Sequence, residues 1–115
     1  RGDSSLAEPA RHLAELAAGY EPALAAIAAS PTEDGYVRRR ALWALTRSDD
    51  AGAVAQAGAI ARAVASDSHE ADGLRAAALG ALRELAPDEA RALARAVRPS
   101  AGRLLSRKAA ALAAP

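Results

Sequence analysis

The chain is expected to be all-α, a stack of helix–loop–helix units, and three observations in its 115 residues point there. Alanine, the strongest helix former, makes up about a third of the chain, while aromatics are 3% and Phe is absent. Apolar residues recur at helical spacing, and no segment reads as a strand. The stretch 34–47 also returns in altered form at 72–84. With Arg38 laid on Arg75, Ala41 falls on Ala78, Leu42 on Leu79, Ala44 on Ala81 and Leu45 on Leu82. The segments 27–30, 64–66 and 97–100 each close a helix before a turn, so the period is about 34–37 residues. A period of that size predicts a solenoid of about three units and six to seven helices, each unit burying its face on its neighbours.

Taken in order, residues 5–19 are expected to form a leading helix. Ser5 and Glu8 fit a capping box, and Leu6, Ala10, Leu13, Ala14 and Leu16 are apolar at helical spacing. Gly19 is placed to end that helix, and Pro22 suits the first turn of the next, which buries Ala23, Leu24, Ile27 and Ala28. Residues 30–35 are a turn by composition, and the third helix follows to Arg47. Ser48, Asp49 and Asp50 break the pattern and cap a fourth helix carrying Val54, Ala57, Ile60, Ala61 and Val64 on one face. A fifth spans 71–86, stopped by Pro87. Asp88 is placed to cap a sixth, with Leu93, Ala94 and Val97 inward and Arg91, Arg95 and Arg98 outward. Pro99 and Ser100 separate it from a last helix at 101–113. The organisation is thus one domain, 1–115: a leading helix 5–19, repeat 1 at 20–48, repeat 2 at 50–86 and a degenerate terminal unit at 87–115.

The two central copies, 37–45 and 74–82, resemble the second helix of HEAT repeats, most of all the short bacterial type first noted in phycobilisome lyases. The resemblance covers residues 20–102 and implies a right-handed α-solenoid whose second helices line a concave face. In that family an acid six residues before the Arg often pairs with it in a ladder between repeats. This chain has Thr32 and His69 there, while Asp34 and Asp72 read as helix caps. Tetratricopeptide units of similar length are the rival, and their aromatic and Gly positions are not matched.

Composition excludes several chemistries. Without Cys there are no disulfides or thiolates. His12 and His69 are the two histidines, and His69-Glu70 lacks the second His of a zinc-protease motif, so no catalytic residue and no metal ligand is assigned. Asp67, Glu70 and Asp72 are read as capping and loop residues rather than a cation site. No cofactor is implied. No segment is long and apolar enough to span a membrane, and 1–19 carries Asp3, Glu8 and Glu15 rather than a signal peptide. With no Met at position 1, a cytoplasmic piece of a larger or processed protein is expected. The net charge of +1 hides an uneven spread, −5 over 1–90 and +6 over 91–115.

Function is sought where the copies differ. Tyr36, Arg40, Trp43 and Arg47 share one helical face, and the equivalent positions of the next copy are Gly73, Ala77, Gly80 and Glu84. Side by side, these would set an aromatic and cationic ridge, with Arg39 beside it, against a trough floored by small residues. Trp, Tyr and Arg are the side chains most enriched at interface hot spots. The competing reading folds Trp43 over Gly80 or the first helix as filler. The expected function is a non-catalytic scaffold binding an acidic or amphipathic protein segment on the concave face. The alternative is a spacer or weakly self-associating segment whose basic tail, Arg91, Arg95 and Arg98, meets the acidic body of another copy. A nucleic-acid binder of the HEAT-like glycosylase kind is disfavoured by the lack of overall basicity.

Overall fold

The computed structural model describes residues 17–98 and 102–113, and these form six helices with no strand among them: α1 (Ala17–Ala29), α2 (Gly35–Thr46), α3 (Ala51–Ser66), α4 (Asp72–Leu85), α5 (Pro87–Val97) and α6 (Arg103–Ala113). The expected capping box at Ser5 and Glu8, most of the leading helix, His12, and Pro99 with Ser100 lie outside the described residues. Two of the helix starts follow directly from local chemistry. The Asp34 carboxylate accepts from the Tyr36 and Val37 amides at 3.0 and 3.2 Å, and that of Asp50 from Ala53 at 2.8 Å, satisfying amides a helix leaves open.

Two boundaries differ from expectation. Gly19 and Pro22 both lie inside α1, so residues 17–19 belong to the helix that continues through Ala29 rather than ending an earlier one. Pro22 removes one i→i−4 bond there, and the packing of Leu24 and Ala28 into the core outweighs that local cost. Asp88 does not cap the fifth helix: α5 begins at Pro87, whose missing N–H is no loss in a first turn, with Asp88 and Glu89 following it near the positive helix end.

The helices pair as hairpins, α1 with α2, α3 with α4 and α5 with α6, and the hairpins stack in chain order. The odd helices touch in sequence, α1 to α3 to α5, and the even ones likewise, α2 to α4 to α6. The backbones of α1 and α2 make no close approach to those of α5 and α6. Each hairpin thus lies against the next, with the odd helices in one layer and the even helices in the other. The core between them is made of eleven Ala, eight Leu and two Val. Leu24, Leu45, Leu79, Leu82 and Leu105 are fully buried, each contributing roughly 1.5–3 kcal/mol by transfer from water. Ala57 and Ala61 on α3 and Ala90 and Ala94 on α5 are fully buried, and small side chains such as these let neighbouring helices pack closely.

Two arginines are part of that core. Arg38 and Arg75 are only 3% and 2% exposed. Arg38 Nε donates to the Ala28 carbonyl at 3.1 Å, and Arg75 Nε to the Ala65 carbonyl at 3.0 Å, each ten residues back. Both carbonyls lie in the last turn of the preceding helix, where orphan acceptors and the negative dipole end favour a cation. Arg38 then uses its two terminal nitrogens as a fork on Glu70, at 2.9 and 2.8 Å. A rung between successive units thus exists, and its acid lies five residues before Arg75 rather than six.

Asp72 is also a cap, but not of its own helix. Its carboxylate reaches the next hairpin and accepts from the Gly102 and Leu105 amides at the start of α6, at 2.8 and 3.0 Å. A Cβ on Gly102 would lie 2.8 Å from the Asp72 carboxyl carbon, so a bare Cα is what lets it approach. The Leu105 amide first, then those of Gly102 and Leu104 and the nearby Arg75 charge, hold the Asp72 carboxyl below its usual range. A depressed folded-state pKa means the contribution is present above the unfolded value, about 4, and is lost as pH falls through the folded one. Hydrogen exchange should show the Gly102 and Leu105 amides protected at neutral pH and released on strong acidification. Asp72→Asn should speed their exchange at pH 7 while leaving α2 and α3 protected; unchanged exchange in α6 would refute the tether.

Candidate functional site

The outward face of α2 carries the residues that the repeat leaves unequal. Tyr36 is 48% exposed and Trp43 47%, with Arg39 and Arg40 between them in sequence. Trp43 does not fold over Gly80. Instead the side chains form a ladder: Arg39 lies 5.7 Å from the Tyr36 ring centre, Arg40 5.9 Å from Tyr36 and 5.7 Å from Trp43, and Arg47 4.8 Å from Trp43. Guanidinium over an aromatic face contributes roughly 0.5–1 kcal/mol at exposed sites, which favours this alternation of rings and cations.

Beside this ridge, α4 presents the small residues predicted for it. Two adjoining depressions, of about 250 and 410 Å³, run along its outer face and share Arg39, Ala77 and Lys108. Gly73, Ala76, Ala77, Gly80 and Ala81 pave them, all half-buried. One wall is Arg39, Trp43 and Thr46 from α2. The other is Leu104, Arg107, Lys108 and Ala111 from α6. Thr46 is not available to a ligand as a donor, because its hydroxyl donates to the Leu42 carbonyl at 2.8 Å. Arg47 and Glu84, equivalent positions in successive units, close one end with an exposed ion pair at 3.1 Å. Such a pair contributes little to stability, and its place marks α2 and α4 as lying in register.

The α6 wall is absent from the sequence reading. Leu104 is 56% exposed, and its Cδ1 lies 3.7 Å from where a Cβ on Gly73 would be. Lys108 lies over Gly80, its Cε 3.3 Å from the corresponding point. The two glycines are therefore where α6 leans onto α4. Arg83 also lines the groove from α4. A signal existed in the alternation of Leu104, Arg107, Lys108 and Ala111 at helical spacing, but the degenerate third unit gave no alignment to locate it.

Comparison with protein-family models, with curated proteins and with solved structures returned no match. The residues themselves are what describe the site. Of the predicted set, Tyr36, Arg39, Arg40, Trp43 and Arg47 form the α2 ridge, and Arg39, Trp43, Gly80 and Glu84 line the groove. Arg91, Arg95 and Arg98 do not join them: they are exposed along α5, in the other layer. There Arg62 pairs with Glu89 between α3 and α5, and this holds the Glu89 carboxyl below its usual range. Among the described residues no three His, Cys, Asp or Glu side chains gather where a metal ion could sit, and His69 is an exposed loop residue beside Asp67. No described helix is long and apolar enough to cross a membrane.

Proposed function

We propose that the chain is a non-catalytic binding module, a HEAT-like α-solenoid of three hairpins whose even helices form the recognition face. The observation that carries this is Trp43, half-exposed on a groove wall and held there by Arg40 and Arg47. A large aromatic ordered at the surface rather than used in a core short of large side chains is the pattern of an interface anchor. The partner is an acidic or amphipathic protein segment, because cations dominate the groove and its one acid, Glu84, is engaged by Arg47.

The double variant Trp43→Ala, Arg40→Glu tests it. It removes the anchor and reverses one rung while leaving every buried residue in place, so the circular dichroism spectrum and melting should stay near wild type. Proteins retained by the wild-type chain at physiological salt should be lost from the variant, by about two orders of magnitude for a hot-spot pair. Retention of the same partners by a fully helical variant would refute the proposal.

A further inference from the structure

The groove has a shape and a charge that specify more than a partner protein. We infer that its occupant is an α-helix of negative charge, laid along α4 between α2 and α6; this rests on the binding-module reading.

Packed helices lie about 8–10 Å apart, so the middle helix of three side by side normally presents a ridge of its own. Here that ridge is missing. Gly73, Ala77 and Gly80 follow one another at i, i+4 and i+7 on α4; Leu104 and Lys108 of α6 lean over the two glycines as the near wall, and Trp43 of α2 stands as the far one. The result is a trough over α4, bounded by α2 and α6, whose backbones stay apart. A helix is the element whose cylinder fits such a trough, with apolar anchors at i, i+3, i+4 and i+7 meeting Trp43 on one wall and Leu104 on the other.

An extended peptide fits poorly for a separate reason. Its backbone N–H and C=O groups need partners when buried, and no strand edge exists among the described residues to supply them. A helix satisfies its own backbone and can lie on a floor of Ala and Gly without that cost. A nucleic-acid strand is disfavoured too. It would stack bases flat on exposed rings, and the Arg40 and Arg47 guanidiniums, 5.7 and 4.8 Å from the Trp43 ring centre, compete for that stacking.

The charge of the occupant follows from what the walls lack. Arg39, Arg83, Arg107 and Lys108 line the trough and make no ion pair with any described residue. Acidic residues on the flanks of the incoming helix complete them. Glu84 opposes such a ligand at the end it seals with Arg47.

Trp43 is the chain's one Trp, so its emission reports on the groove directly. The test titrates the full chain with four synthetic probes. They are an amphipathic helix with a Leu stripe flanked by Glu, the same composition broken by two prolines, the helix with Lys for Glu, and a single-stranded oligonucleotide. The Glu helix should shift Trp43 emission saturably, weaken in high salt, and bind at least tenfold more tightly than the other three. Arg83→Glu with Lys108→Glu should weaken it about tenfold. Glu84→Gln should strengthen it severalfold, a gain that misfolding cannot produce. Equal binding of the proline-broken peptide would overturn the helical occupant and leave the module reading standing. No binding of the Glu helix, with partner capture still lost in the Trp43 and Arg40 double variant, would do the same. Tighter binding of the oligonucleotide would overturn both.

Discussion

Arg38→Ala should lower the unfolding free energy by about 3 kcal/mol, the lower end of the cost of removing one member of a buried ion pair. Chemical denaturation followed by circular dichroism reads it as an earlier midpoint with an unchanged slope. Three groups lose a partner at once: the Ala28 carbonyl at the end of α1 and both oxygens of Glu70. Glu70 keeps some access to water while Arg38 has almost none, which holds the cost to the lower end. Arg38→Lys should recover little, because an ammonium keeps the charge but cannot serve a carbonyl and both carboxylate oxygens in one plane. Glu70→Gln should cost less than Arg38→Ala, since the amide still accepts one bond and the Ala28 contact survives. A double-mutant cycle on Arg38 and Glu70 with no coupling would show that burial, not the pair, carries the effect.

Leu79→Ala should cost about 4 kcal/mol, in the upper part of the range for buried Leu truncation. The spread in that range reflects how far neighbours can move into the space left behind. In most cores a nearby Leu, Met or Phe changes rotamer and fills part of it. This core is more than half Ala by residue count, and Ala has no rotamer to change. Leu79 also sits on α4, which packs against α2, α3, α5 and α6, so backbone shifts that would close the gap are opposed from several sides. Ala78→Gly, one residue away and equally buried, should cost about 1 kcal/mol by helix propensity. If Leu79→Ala proved as mild as that, the helices would have to slide more freely than their close approach implies.

The helices were legible in the sequence because their code is local. Ala41, Leu42 and Leu45 repeat as Ala78, Leu79 and Leu82, and all six are buried. Asp34 and Asp50 cap as their positions next to apolar runs suggest. What escaped were bonds between units. Asp72 has the chemistry of a cap and the sequence position of one, yet the amides it serves are about thirty residues away. Glu70 falls one position outside the spacing at which a ladder acid was sought, and only the loop's path brings it to Arg38. Gly19 and Pro22 mark a break by type, but α1 continues because tertiary packing overrides two unfavourable local choices. At the groove, the α2 ridge could be found by comparing repeat positions. Leu104, Arg107 and Lys108 could not, since they lie in a unit without a matching copy and face the groove only once α6 rests on the bare surface of α4.

The paired arginines have a consequence for how such a chain could grow. Residues 35–71 contain a donor, Arg38, the carbonyl that the next arginine will use, Ala65, and the acid that closes the rung, Glu70. Each joint draws its parts from one such cassette and the helix end just before it. A duplicated cassette would meet its predecessor through the bonds that Arg75 already makes to α3. The length of the trough is then metered by the number of cassettes, and a longer groove becomes a matter of gene length rather than of new chemistry.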